Sequence, residues 1–313
     1  MLSRAADSLY WLARYLERAE NVARIVAVGH RMASMARSLG SGGNEWLSTL
    51  IATGCEPGYF AKYAEAEQRT VIDYLVRDPD NPSSIFSSIE TARRNARTVR
   101  TALTMDMWDA LNETWLDVRS LKADLKSSEG LLRFLDWVRE RSLLFNGAYA
   151  STMLRNDAFY FTRLGTFIER ADNTARILDV KYYVLLPQHE GVGGALDYYQ
   201  WQSILRSVSA LRAYHWIYHD RLKPWLIAEL LMLRPEMPRS LRACHDQIGL
   251  YLTLLAESHG KRGECHRLAG ALHARLCYGR IQDIFQAGLH EFLADFIDRS
   301  NDLGREISSF YLA

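Results

Sequence analysis

The sequence predicts an all-α protein, a single multi-helix bundle over residues 1–313 whose two related halves meet about an approximate internal two-fold. Three observations carry this expectation. Apolar residues recur at i, i+3, i+4 and i+7 over most of the length, and no alternating strand pattern is found. No proline lies between Ser83 and Leu186, a run of 104 residues that leaves long helices unbroken. A 17-residue segment also occurs twice, the mark of a duplicated unit.

The elements follow in chain order. The first helix is expected from Ser3, an acceptable N-cap, to about Arg37,. The glycine-rich stretch 40–44 ends it and forms a connection. Short helices are expected over 45–77, up to the Asp78-Pro79-Asp80-Asn81-Pro82 turn,. Ser83 or Ser84 then caps a helix to about Thr104, and two more helices reach about Asn146. A second long helix is expected over 157–186, where Pro187 stops it ahead of a loop holding Gly191, Gly193 and Gly194,. Helices continue to the C-terminus, with a turn at 234–238. No linker separates independent domains, so the halves, about 1–150 and 151–313, are expected to form one body.

Composition bounds the function class. Hydrophobic residues make up 48% and charged residues 24% of the chain, the ordinary balance of a globular protein,. With 38 basic against 37 acidic side chains the formal charge is +1, which argues against binding polyanions such as nucleic acid as the main task. The apolar run at 9–13 is interrupted by Arg14, too short for a secretory signal, and 226–233 is short and carries Glu229, so no membrane span is expected,. Cys55, Cys244, Cys265 and Cys277 are scattered without a CxxC. They read as free thiols of a reducing compartment, and a soluble, cytoplasmic protein is expected.

The duplicated segment reads YWLARYLERAENVARIV at 10–26 and TRLGTFIERADNTARIL at 162–178, identical at eight of 17 positions. A fainter third copy is read at 296–302, with Asp298, Arg299 and Asp302 in the motif and Arg305 at the place of Arg24. On a helical wheel Glu17, Glu20, Asn21 and Arg24 share one face, which Tyr10 and Arg14 extend,. Leu9, Leu12, Leu16, Val22 and Val26 belong to the opposite face, and Arg18 sits at the border. Glu169, Arg170, Asp172, Asn173 and Arg176 repeat the pattern. A solvated face laced with local ion pairs is one explanation. Such a face drifts after duplication because surface substitutions cost little, yet here the polar stripe is retained better than parts of the apolar face. A buried or half-buried polar network between paired helices fits that retention. It could fix helix register or hold a ligand.

These residues resemble the alpha-E family of bacterial helical proteins. The likeness takes in LSRAADSLYWLARYLERAENVAR at the start, ARRNARTVRTALTMDMWDALN at 92–112 and LRNDAFYFTRLGTFIERADNTARILDVKYYVLLP at 154–187. It continues with WQSILRSVSALRAYHWIY at 201–218 and PRSLRAC at 238–244. The resemblance implies a neighbour or fusion partner of circularly permuted ATP-grasp amide ligases and transglutaminase-like proteases, sometimes beside a proteasome-like peptidase. The implied theme is synthesis or processing of an unusual peptide. The family motif maps onto Glu17, Arg18, Asn21, Arg24 and onto Glu169, Arg170, Asn173, Arg176. The chain departs from the common pattern at Arg94, where an acid is usual, and at Thr166, where a base is usual.

Other constellations point less sharply. Arg93, Arg97 and Arg100 share a helix face and, with Asn95, could hold a phosphate or carboxylate, or else form a solvated basic stripe. His215 and His219 stand at i, i+4, and Cys265, His266, His273 and Cys277 gather downstream, but neither set matches a standard zinc spacing. The Glu17/Glu20 and Glu169/Asp172 pairs lack the Glu-x-x-His of di-metal bundles, and arginine in the same stripe would repel a metal. No GxSxG, Walker loop, HExxH or dinucleotide fingerprint occurs. No metal and no cofactor are therefore expected, and any ATP chemistry belongs to a partner.

Three readings follow. In the first, the chain is an accessory or substrate-holding partner of an ATP-grasp ligase. Arg24, Arg176 and Arg97 clamp the carboxylates of a peptide-like ligand, and Glu17 and Glu169 orient the arginines. In the second it is an enzyme of the same pathway with Glu17 or Glu169 as general acid or base, although arginine proximity lowers a carboxylate pKa and disfavours this near neutrality. In the third the stripes are a structural network and function lies on the outer surface.

Overall fold

The computed structural model describes residues 3–38, 44–120, 124–183 and 194–312, and among them there are fifteen α-helices and no strand. They run α1 (Ser3–Ser38), α2 (Glu45–Thr53), α3 (Glu56–Phe60), α4 (Gln68–Val76), α5 (Ile85–Thr98), α6 (Met105–Ser120), α7 (Ser128–Thr152) and α8 (Asp157–Tyr183). Then come α9 (Ala195–Ser207), α10 (Leu211–Tyr218), α11 (Pro224–Met232), α12 (Leu241–His259), α13 (Glu264–Tyr278), α14 (Ile281–Ala287) and α15 (Leu289–Ile307). The fold class is all-α, as the periodicity predicts. No helix among the described residues is long and apolar enough to cross a membrane.

Boundaries follow local chemistry. Ser84 caps α5 by accepting from the Ser87 amide at 3.2 Å, and Ser240 caps α12 by accepting from Ala243 at 3.0 Å,. Asn156 accepts from the Ala158 amide ahead of α8. The helix expected to reach Thr104 stops at Thr98 and tightens into a 3-10 turn over Arg100–Ala102. β-Branched Thr98 and Val99 weaken it there. α7 runs on to Thr152, past the expected Asn146. The glycine connection (39–43) and the stop at Pro187 with most of its loop (184–193) lie outside the described residues.

The long helices α1 and α8 cross at the centre. α1 also packs on α5, α2, α7 and α9, and α8 on α12, α15 and α2. Close approach is permitted at Gly165, where a Cβ would stand 2.2 Å from the Tyr10 carbonyl oxygen. The wheel gives α1 an apolar face and a polar stripe, and the retention of the stripe predicts that it too is buried or half-buried. In the structure every residue from Ala19 to His30 is buried, the polar stripe included. A helix enclosed on all sides ordinarily carries apolar residues all round, so the stripe at the crossing must satisfy itself internally.

Candidate ligand site at the helix crossing

The crossing brings the two repeat copies together reciprocally. Arg170 forks onto Glu17, both contacts at 2.9 Å, and Arg18 forks onto Glu169 at 2.6 and 3.1 Å. Paired forks of this kind fix geometry as well as charge. Around each fork lies a cluster of three arginines and two acids, and the clusters differ in closure.

The cluster around Glu17 is sealed. Glu20 accepts from both Nε and one terminal nitrogen of Arg24, at 2.8 and 2.6 Å, and from the Ser142 hydroxyl of α7 at 2.5 Å. Arg239, one residue ahead of the Ser240 cap, bridges the two acids, reaching Glu17 at 3.0 Å and Glu20 with its other terminal nitrogen. Arg24 donates its remaining terminal nitrogen to the Ser207 carbonyl at the end of α9. Glu17 and Glu20 are 1% and 0% exposed. Burial pushes the Glu20 pKa up, but Arg239 and Arg24 outweigh it and hold the carboxyl below its ordinary value,. Burial and the Arg239 charge lower Arg24 to about 10. Every carboxylate oxygen in this cluster has a donor.

The cluster around Glu169 is open. It borders a pocket of about 220 Å³ between α1 and α8, whose rim takes in Gly54 after α2, Ser83 ahead of α5 and Asn301 of α15. Glu169 accepts from Arg14 Nε at 2.8 Å besides the Arg18 fork, and Asp172 accepts from Arg176 at 2.6 and 3.2 Å. Burial favours the neutral acid at Glu169, yet Arg18 and Arg14 overcome it and hold the pKa at about 2. That carboxylate stays ionised near neutrality and makes a poor proton shuttle. Three guanidiniums against two carboxylates leave one positive charge on the wall.

Two residues of the same pocket wall, Asn21 and Asn173, carry buried amides. Asn21 donates to the Glu169 carbonyl at 3.2 Å, but its Oδ1 has no partner. Asn173, 2% exposed, has a partner for neither Oδ1 nor Nδ2. Unpaired buried polar groups cost about 1–3 kcal/mol each, so the three atoms are a cost the fold carries beside the pocket.

The structure sorts the candidate residues. Glu169, Arg18, Asn21, Asp172, Asn173 and Arg176 line the open pocket. Glu17, Glu20, Arg24 and Arg170 belong to the sealed cluster, so Arg24, 3% exposed, is already spent on Glu20 and Ser207 and cannot clamp a ligand alongside Arg176. The arginine face of α5 does not join either cluster. Arg93 bonds Asn112 at 3.0 Å, Arg100 stacks over Trp108, Arg97 is exposed and Asn95 half-buried. The reason is that α5 turns Ile85, Ile89, Ala92 and Ala96 inward and the arginines outward. Of the third copy only Asn301 reaches the rim of the open pocket; Asp298, Arg299, Asp302 and Arg305 join neither cluster, because α15 buries Leu293, Phe296, Leu303 and Ile307. Arg299 pairs with Asp295 and Arg305 with Asp302 on its outer face, while Asp298 borders a smaller pocket beside Arg176. His219 ends α10 in a left-handed conformation, φ 49°, so it leaves the face that carries His215. No group of three or more His, Cys, Asp or Glu able to hold a metal gathers among the described residues.

Arg239 and Ser142 escape a reading of the repeat because neither lies on a repeat helix. Proximity of PRSLRAC to a cap signal was the available clue to Arg239.

The family model called Alpha-E, described as "a predicted alpha-helical domain with a conserved ER motif", matches residues 1–312. Glu-Arg stands in both repeat copies, at 17–18 and 169–170, and both pairs make the forks at the crossing. Similar proteins include uncharacterised proteins of Mycobacterium bovis and Mycobacterium tuberculosis, each 31% identical over 120 residues, which is 34% of this chain and 14% of theirs. A further Mycobacterium tuberculosis protein, also uncharacterised, is 30% identical over the same length. This chain therefore matches about a seventh of the length of these relatives. No solved structure matches. The chain belongs to the Alpha-E family.

Proposed function

We propose that this protein holds the carboxylate end of a peptide-like substrate for a separate amide ligase of the circularly permuted ATP-grasp type, as an accessory component of a bacterial peptide synthesis or modification pathway. The observation that carries this reading is the open pocket. Its single excess positive charge suits a monoanion, and the terminal nitrogens of Arg18 and Arg176 not spent on acids give a carboxylate its donors,. Asn173 offers a donor and an acceptor side by side, the complement of a backbone amide,. A carboxylate with an amide next to it is the end of a peptide. Glu169, held ionised by Arg18 and Arg14, is a poor proton shuttle, which favours holding over catalysis,. The length of the mycobacterial relatives beyond the shared 120 residues suits a helical unit that works beside other chain.

Glu17, Glu20 and Arg24 take the structural role, since a closed, fully paired network sets how α1 and α8 cross.

Calorimetric titration of the purified chain with acetyl-glycyl-glycine and with its C-terminal amide tests the holding function. The acid is expected to bind and the amide to bind at least tenfold more weakly. Equal binding, or none by either, refutes the carboxylate reading. Affinity capture from the native cell, with mass spectrometry of what is retained, tests the partnership, and recovery of an ATP-grasp ligase in near-equal amount is the expected result.

A further inference from the structure

A shift of 152 residues carries Glu17, Arg18, Glu20, Asn21 and Arg24 onto Glu169, Arg170, Asp172, Asn173 and Arg176. The correspondence extends beyond the repeat helices. α5 packs on α1 and α12 on α8, and each starts at a capping serine two residues after a proline, Pro82 and Pro238. The residue between proline and cap is Ser83 on the rim of the open pocket and Arg239 inside the sealed cluster. α7 and α15 each present a buried serine directly after an arginine. Ser142 donates to Glu20, while Ser300 Oγ has no partner. Arg24 reaches the end of α9, and a terminal nitrogen of Arg176 lies against Gly54 at the end of α2.

The third arginine is what differs. In the sealed cluster it comes from outside, as Arg239, and its side chain fills the space between the acids and the Ser240 turn. In the open cluster it comes from within α1, as Arg14, whose counterpart on α8 is Thr166. Both clusters keep the same charge, but only one has its volume filled. We propose that the two clusters are twin binding sites of a duplicated chain, that Arg239 plugs one of them, and that this side chain is why the protein offers one anion pocket rather than two. The inference rests on the pocket's role as a ligand site for its meaning, though not for its geometry.

Exchange of the plug tests it. In the Thr166→Arg/Arg239→Ser chain the third arginine is moved onto α8, which should open a pocket beside Glu17 at unchanged charge. In the Arg14→Thr/Ser83→Arg chain an arginine is placed at the rim, which should fill the open pocket. Crystal structures of both are the primary readout, with calorimetric stoichiometry for acetyl-glycyl-glycine as the second. Expected are two equivalents per chain for the first variant and none for the second, whose introduced rim arginine should lie against Asp172. A folded first variant still closed at Glu17, or a rim arginine turned to solvent in the second, overturns the twin relation. If the first variant does not fold, the second decides. Wild-type protein that fails to bind the probe, beside variants whose pockets open and close as expected, would sink the ligand reading and leave the twin relation standing.

Discussion

Acid unfolding gives the sharpest test of the open cluster. Glu169 has an ordinary pKa of 4.5 and is held at about 2 in the folded chain, a depression of about 2.5 units that corresponds to roughly 3 kcal/mol. Because the folded pKa is depressed, the unfolded chain binds the extra proton. The stabilisation is therefore complete above about pH 4.5 and is lost as pH falls towards 2. Glu169→Gln has no such proton to bind, so its stability lacks this contribution to the pH slope. Urea unfolding followed by far-ultraviolet circular dichroism, at intervals between pH 7 and pH 2, measures both proteins. The difference in unfolding free energy between them should shrink by about 3 kcal/mol across the window from pH 4.5 to 2, other carboxylates being common to both. A difference that stays constant with pH would show that Arg14 and Arg18 do not stabilise the ionised form, and the electrostatic account of the pocket would fall.

Other expectations concern single side chains. Arg239→Ala strips a donor from two acids that are 1% and 0% exposed and should cost about 3–5 kcal/mol in urea unfolding, whereas Arg305→Ala, on an exposed pair, should cost under about 1 kcal/mol. Gly165→Ala drives a Cβ to 2.2 Å from the Tyr10 backbone oxygen, so the long helices must part, lowering stability by about 1–3 kcal/mol or more. Ser240→Ala removes the cap of α12 and should cost about 1 kcal/mol. Asn173→Ala deletes an amide with no protein partner, so stability should hold or rise while affinity for acetyl-glycyl-glycine falls at least tenfold.

The helical class and most element boundaries were legible because spacing, caps and proline placement act locally. The retention of Glu17, Asn21 and Arg24 across the duplication likewise announced a buried stripe. What could not be read was which stripe residues would be sealed and which left open. That division depends on Arg239, which arrives from the turn ahead of α12, 219 and 222 residues beyond the acids it joins. The α5 arginines misled for a related reason. They share a face, but small and branched residues on the other face decide which side of α5 meets α1.

The burial of α1 also bears on synthesis. Arg170 and Arg239 lie 153 and 222 residues downstream of Glu17. At roughly 5–20 residues per second, Glu17 waits about 10–45 s for the last of its partners. A wholly apolar central helix would spend that interval as an aggregation hazard. Glu20 and Arg24 can pair within α1 from the start, while Glu17 and Arg18 keep their charges hydrated until the second half brings Arg170 and Glu169.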